Sequence, residues 1–239
     1  MRRIDNIGFG DLKLIQETED FCYGVDAVLL ADFVKAPARA KILDLCTGNG
    51  IVPLIMHHKY DPEKITGLEF YEGSYRLAVE SAELNGLSDK IEFVLEDAIN
   101  VKKLFKAESF DCVSINPPYT KAESGITSSS DAKLLARHET TASLEDFICG
   151  ASYVLKRGGS FTIVHRPQRL VDIFTLCRKH RLEPKKLRFV SPYPGKSPNI
   201  VLVQCIKDGG AELTVEPDLP VRNEDGSYSE EINKIYERL

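Results

Sequence analysis

The run Phe110-Asp111-Cys112-Val113-Ser114-Ile115 is a short apolar strand that stops abruptly at Asn116-Pro117-Pro118-Tyr119. Neither proline has an N–H to give to a ladder, and the first also keeps Asn116 out of the helical region. The chain must leave its sheet here, and stiffly. The turn fixes three groups at a strand's carboxyl end: the Asn116 side-chain oxygen, the Pro117 carbonyl and the Tyr119 ring. Two acceptors beside a flat ring suit a planar base carrying an NH2. The lone pair of such an amine is delocalised into its ring. Accepting both protons draws the nitrogen towards tetrahedral geometry and frees the pair, while Tyr119 stacks on the ring. Taken alone, an Asn-Pro turn closing an ordinary strand reads the same way.

The stretches before it supply a context. Leu12 to Gln16 alternates weakly and Glu17 to Asp20 interrupts it before Phe21-Cys22-Tyr23, which reads as a small hairpin. Asp26 is expected to start a short apolar helix, Ala27 to Val34, laid as a cap over a later site. Lys41-Ile42-Leu43-Asp44-Leu45 is a strand, followed by the turn Cys46-Thr47-Gly48-Asn49-Gly50 and a helical run from Ile51 to Met56. Strand, glycine turn and helix in that order begin a nucleotide-binding unit, with Gly48 and Gly50 letting the backbone approach a ligand. A second strand, Ile65 to Glu69, ends in an acid at a spacing that suits a ribose diol. A helix from Tyr75 to Asn85 closes at Gly86. Ile91 to Leu95 is a third strand, ending at Glu96-Asp97-Ala98, and the strand before Asn116 is the fourth. In open α/β sheets ligands bind beyond the carboxyl ends of the strands, and here four ends in succession carry Asp44 with its glycines, Glu69, Asp97 and Asn116.

Beyond Tyr119 the stretch from Lys121 to Ser130 is Ser-rich and without period, as a loop would be. Helices are expected near Leu134 to Glu139, from Leu144 to Leu155 and from Leu170 to Lys179, and strands over Ser160–His165, Lys186–Val190 and Asn199–Ile206. Six cysteines stand singly among apolar residues without a C-x-x-C pair, as buried reduced thiols do. No segment approaches the roughly 20 apolar residues of a membrane span, and the amino terminus has no secretory h-region, so a cytoplasmic protein with no membrane partner is expected. The net charge of −5 is uneven: Lys156 to Lys196 holds eleven Lys and Arg against two acids, and the remainder is −14. That segment is read as a basic face able to steer a polyanion, although a solvated helix and loop would carry the same charges.

With these motifs in place the chain resembles the class I S-adenosylmethionine-dependent methyltransferases from about Tyr23 to Ile206. The resemblance implies a Rossmann-like α/β fold: a seven-stranded, mostly parallel sheet with helices on both faces and a small amino-terminal hairpin and cap helix. Residues 1–36 would form that cap within the same unit, 37–208 the methyltransferase domain and 209–239 an acidic tail, whose last helical stretch, Glu230 to Arg238, is expected to pack weakly. It also implies S-adenosyl-L-methionine as cofactor, no metal, and a cofactor site of Tyr23, Asp26, Asp44, Cys46, Thr47, Gly48, Asn49, Gly50, Glu69, Phe70, Asp97, Ala98 and Asn116. Glu69 would hold the ribose hydroxyls and Asp97 would lie near the adenine amine, although Asp97 could be merely a helix N-cap. Cys46 stands where the family usually has glycine, which implies that this position needs no positive φ. Asn116, Pro117, Pro118 and Tyr119 would form the catalytic motif of members that methylate planar nitrogens.

A narrower resemblance rests on Tyr23 to Ala31, Ala136-Arg137-His138-Glu139, His165 to Leu170 and Ser197-Pro198-Asn199. These are similar to the bacterial tRNA adenine-N6 methyltransferases that modify the adenosine beside the anticodon of a valine tRNA. A monomer acting on tRNA or another structured RNA is implied, with Arg137, His138, His165, Arg166, Arg169 and Lys196 on the RNA. Their plainer reading is an exposed helix with local ion pairs and a strand-end histidine. The same motif would also serve a protein glutamine amide, an rRNA guanine N2 or a DNA adenine.

Overall fold

The computed structural model describes residues 2–17, 23–118 and 142–238. Tyr119, Arg137, His138, the Lys121–Ser130 loop and the helix expected near Leu134 to Glu139 lie outside the described residues, as do Phe21 and Cys22 of the expected hairpin.

Seven strands make the body of the sheet: β3 (Lys41–Leu45), β4 (Lys64–Glu69), β5 (Ile91–Leu95), β6 (Phe110–Ile115), β7 (Leu155–His165), β8 (Leu182–Ser191) and β9 (Ile200–Lys207). Their spatial order is β8-β9-β7-β6-β3-β4-β5. All neighbours are parallel except where β9 runs antiparallel between β7 and β8. This is the doubly wound, mostly parallel architecture expected from the sequence. The chain moves outward from β3 through β4 to β5 and then returns to place β6 on the other side of β3. Two consecutive connections therefore diverge between β3 and β6, and a crevice opens there beyond the strand ends. Register sets that crevice residue by residue: Asp44 pairs with Ser114 and Leu45 with Ile115, so Cys46 and Asn116 leave the sheet side by side.

Helices cover both faces. On one lie α1 (Val25–Phe33), α2 (Ile51–Tyr60) and α3 (Glu72–Leu84); on the other lie the single turn α4 (Val101–Leu104), α5 (Leu144–Val154) and α6 (Leu170–Lys179). Pro53 sits in the first turn of α2, where its missing N–H costs nothing. Ser143 and Asp146 close a reciprocal capping box that starts α5. Phe9 and Phe161 are the bulkiest fully buried side chains, one in each core, and burying such a ring is worth about 1.5–3 kcal/mol.

Sequence reading leaves out one strand, and two expectations are corrected. Strand β2 (Lys13–Glu17) pairs with β1 (Arg2–Asn6), which precedes it. The polar, largely exposed β1 carries no alternation that would have marked it. Helix α1 begins after Gly24, with Asp26 inside its first turn, so Asp26 is not the cap. Gly24 is extended there, and a Cβ on it would come within 2.6 Å of Asp26 Oδ1. The carboxyl-terminal segment is docked rather than weakly packed. Its two-residue strands β10 (Thr214–Val215) and β11 (Leu219–Pro220) add parallel to β8, and Leu219, Ile232, Ile235 and Tyr236 are buried. Its short helix α7 (Glu230–Ile235) is capped by Ser229, and Arg188 of β8 grips Glu231 through two bonds of 2.7 and 2.8 Å. Acids of the tail meeting cations of β8 hold what its polar composition concealed.

Candidate active site

The crevice begins with the turn after β3. Asp44, 1% exposed, accepts a hydrogen bond from Ser114 Oγ (2.6 Å) on β6 and another from Thr47 Oγ1 (2.7 Å) in the turn. It thus locks the loop to both central strands. Burial pushes its pKa up to about 7 against the pull of those two hydroxyls, and the neighbouring Glu69 charge adds to the rise. Thr47 N donates to Leu68 O, and Gly50, left-handed at φ 85°, opens α2. Cys46 corrects the sequence expectation: it adopts φ 56°, the left-handed conformation that a glycine would take without strain. The requirement persists and the cysteine bears it, since the turn is tied down on both sides.

Glu69 ends β4 beside this turn. Its Oε2 accepts from Gly48 N (2.8 Å) and its Oε1 from Tyr71 N (2.8 Å). Burial raises its pKa, and those two amides together with that of Phe70 oppose the rise. Each carboxylate oxygen retains a lone pair, so a buried acceptor pair stands fixed at the strand end. Above Gly48, at φ 59°, no atom of the described residues beyond its chain neighbours lies within 4 Å of where a Cβ would be. Phe70 follows as a ring 44% exposed. Asp97 is buried at the end of β5 and does cap a 3-10 turn, Ala98–Asn100, accepting from Ile99 N at 3.1 Å. A carboxylate pair for a diol, an acid at the next strand end, an exposed ring and open space over a glycine fit an adenosine-bearing ligand. Asn49 is buried and its Nδ2 reaches Gln16 Oε1 at 3.5 Å.

The β6 end completes the crevice. Pro117 is buried and Pro118 partly so. Asn116 Nδ2 donates to Asp26 Oδ2 at 3.3 Å, while Asp26 Oδ1 accepts from Ala27 N at 3.0 Å. Helix α1 therefore turns the Asn116 amide so that its oxygen lies on the side away from Asp26. Asp26, expected among the cofactor contacts, touches the first residue of the motif. Two residues that sequence reasoning missed support this region. Gln16 is 1% exposed, accepts from Tyr23 N (3.3 Å) and Asn49 Nδ2, and donates to Asp5 Oδ2 (2.5 Å), joining the hairpin to both the cap and the turn. Gly67 leaves room for Phe93, whose ring would lie 2.5 Å from a Cβ there. A polar side chain within β2 and a glycine within β4 were the only signals.

The basic face is also corrected. Among the described residues, seven of the eleven cations between Lys156 and Lys196 pair with acids: Lys156 with Asp111, Arg169 with Asp172, Arg178 with Glu183, Lys179 with Glu145, Arg181 with Asp208, Lys186 with Glu216 and Arg188 with Glu231. Lys156, Arg157, Arg178, Lys179 and Arg181 lie near the amino ends of the parallel strands, opposite the crevice. At the β7 end stand His165, Arg166, Arg169 and, across the β8–β9 turn, Lys196. Arg166 Nη1 donates to Asn199 O at 2.9 Å, which draws that turn against the β7 end. Lys196 is exposed, whereas His165 is 3% exposed and accepts from Arg166 N at its Nδ1 (2.8 Å). His165 therefore shapes the rim from inside rather than meeting solvent.

Comparison with known proteins agrees with this geometry. A tRNA1(Val) (adenine(37)-N6)-methyltransferase of Porphyromonas gingivalis is 29% identical over 185 residues, covering 75% of this chain and 72% of that one. A crystal structure named as a predicted O-methyltransferase from Agrobacterium tumefaciens superposes with a TM-score of 0.72 at 24% identity, covering 89% and 95% of the two chains. The Streptomyces coelicolor geranyl diphosphate C-methyltransferase, solved with S-adenosyl-L-homocysteine, shares the fold at a TM-score of 0.56 and 12% identity, with 77% of each chain covered. The family model of the methyltransferase small domain matches residues 21–176, from the end of the hairpin through the glycine turn and the Asn-Pro-Pro motif into α6, and the chain belongs to that family.

Proposed function

We propose that this chain methylates the N6 of an adenine in tRNA, at the adenosine beside the anticodon, using S-adenosyl-L-methionine. The observation that carries the reading is Asn116, delivered by a double-proline turn to the switch point, with its amide oriented by Asp26 and next to the turn that Glu69 closes. When bound, S-adenosylmethionine supplies an electrophilic methyl group on a sulfonium and leaves as S-adenosylhomocysteine. Glu69 would hold the ribose diol, Gly48 and Gly50 would let the backbone approach, and Phe70, Asp97 and Ala98 would bracket the adenine. Asn116 and the Pro117 carbonyl would accept from the target amine, with Tyr119 stacked on the base. The name carried by the Porphyromonas relative supports tRNA as substrate. Among the described residues no helix is long and apolar enough to cross a membrane; a cytoplasmic location, where tRNA would be met, and a monomeric state are part of the same proposal. Incubating it with methyl-labelled cofactor and unmodified tRNA should leave the label in N6-methyladenosine after nuclease digestion. Label recovered in a protein glutamine instead would refute the assignment.

Two consequences can be measured on the same protein. Asp44, with its pKa raised to about 7, is largely protonated at pH 6. A cationic ligand arriving beside Asp44 and Glu69 favours their ionised forms. Binding should then release a proton, and S-adenosylmethionine affinity should rise with pH up to about 7 and level off above it, by at most about tenfold per pH unit. Stability of the free protein should move the other way. The folded state keeps a proton that the unfolded chain loses above its ordinary carboxylate pKa, so stability from this group falls as pH rises towards 7. Titration calorimetry in two buffers of different ionisation enthalpy reads the proton directly; no release near pH 6.5 rules the linkage out. On the substrate side, Arg166→Ala with Arg169→Ala should flatten the slope of log tRNA affinity against log salt by roughly 1–2 while cofactor affinity stays put. A double variant with the wild-type slope would move the RNA away from the β7 end.

A further inference from the structure

A cleft of about 500 Å³ lies between the amino-terminal hairpin and the carboxyl-terminal segment, lined among others by Arg3, Asp5, Tyr23, Tyr228, Tyr236 and Arg238. Tyr23 and Gly24 on its wall lead directly into α1 and Asp26, which orients Asn116. Tyr236 lies close enough for the Asp26 charge to be felt there: burial raises the phenol's pKa most, with neighbouring Tyr23, Tyr228 and Asp26 adding and Arg238 opposing.

The charges around this cleft are sorted. The segment from residue 209 onward holds eight acids and three cations. Its Glu216, Glu231 and Glu237 turn towards the body, pairing with Lys186, Arg188 and with His58 and Lys59. Two of its cations, Arg222 and Arg238, lie instead on tyrosine faces, and among the described residues neither pairs with a carboxylate. The Arg222 guanidinium is 4.4 Å from the centre of the Tyr228 ring; that of Arg238 is 4.3 Å from Tyr236 and 5.3 Å from Tyr228. The rings form a near-parallel ladder, Phe9 to Tyr236 at 6.1 Å and Tyr236 to Tyr228 at 6.4 Å, anchored in the core at Phe9. A guanidinium held on a ring face is pre-oriented while its other N–H groups can meet a phosphate; Arg222 already gives its Nη1 to Gly226 O at 2.6 Å. The acid on the wall, Asp5, is already engaged by Arg3 Nε (2.8 Å) and Gln16.

We propose that this cleft holds the sugar–phosphate backbone of the RNA flanking the target nucleotide, with Arg238 of its wall on a phosphate, Arg222 beside the cleft on the Tyr228 face for the next one, and the tyrosine ladder as their support; the proposal rests on RNA being the substrate. Nucleic acid would then be gripped on both sides of the crevice, by this cleft beyond α1 and by Arg166, Arg169 and Lys196 beyond β7. Holding the flanking backbone on both sides would help meet the few kcal/mol that unstacking the base costs.

The test uses the full chain and an unmodified tRNA transcript. In R222Q/R238Q, tRNA affinity at low salt should weaken by about 3–30-fold and the log–log salt slope should flatten by about 1–2, with S-adenosylmethionine affinity unchanged. Because the two arginines also brace the tail, a second measurement uses the wild-type protein: a transcript carrying 4-thiouridine, irradiated in the complex, should cross-link to peptides containing Tyr23 or Tyr228 to Arg238. A wild-type salt slope in the variant, or cross-links confined to residues 165–199, would overturn the cleft while leaving the tRNA reading intact. A wild-type protein without affinity for tRNA that methylates a protein glutamine would overturn both.

Discussion

Asn116→Ala is expected to lower the single-turnover rate of methyl transfer to RNA by about a hundredfold or more while leaving S-adenosylmethionine affinity near the wild-type value. The amide touches Asp26 through its nitrogen, and its oxygen is the acceptor we assign to the target amine. Removing it deletes an interaction that strengthens as the nitrogen becomes tetrahedral, so the loss belongs in the rate and not in cofactor binding. Asn116→Asp tests the orientation separately. A carboxylate there still accepts but faces Asp26 across a contact that is 3.3 Å in the wild type, without a donor between them, so the two charges repel. Asp26→Asn keeps an acceptor for Asn116 and should cost less than Asp26→Ala. If Asn116→Ala turned over RNA at the wild-type rate, the motif would be only a turn.

Much of this site could be read in the sequence because its parts are local. A strand, a glycine turn, an acid at the next strand end and a double proline each fix backbone geometry within a few residues. Parallel pairing then assembles them at one edge whatever the loops between them do. What could not be read depends on distant partners. Asp44 was legible as a strand-end acid, but not as the latch between Thr47 and Ser114, because Ser114 lies 70 residues away and meets it only through register. Gln16 looked like a polar member of a weak strand, yet the hairpin inserts it, buried, between Tyr23 and Asn49. The positive segment misled for the same reason. Charge adds along a sequence regardless of direction, whereas the fold sends Arg178 and Arg181 to the far end of the sheet and supplies Glu216 and Glu231 from the tail to neutralise β8. Cys46 shows the reverse failure: residue type implied relaxed backbone, but the latch on either side of it imposes φ 56°.

Glu69→Ala is expected to weaken S-adenosylmethionine binding by about 1.5–3 kcal/mol, a loss of roughly 10- to 150-fold, with the fold retained. Two effects contribute. The carboxylate is the group we assign to the ribose diol, and hydrogen bonds to a buried anion are the stronger kind. It also satisfies Gly48 N and Tyr71 N, so its removal frees the turn that the ligand must meet. Glu69→Gln separates them, since its oxygen can still accept from one amide but its NH2 opposes the other. It should therefore bind the cofactor more weakly than wild type although it is nearly isosteric. Stability should not fall in step with affinity. Burial holds the Glu69 pKa above its ordinary value, so the folded protein gives up an unfavourable desolvated charge when the side chain is neutralised. Calorimetric affinities should thus drop in both variants while melting temperatures stay close to wild type. Affinity unchanged in Glu69→Ala would take the diol away from this strand end, and a collapse of the melting transition would make Glu69 a structural latch for the Gly48 turn rather than a ligand for the cofactor.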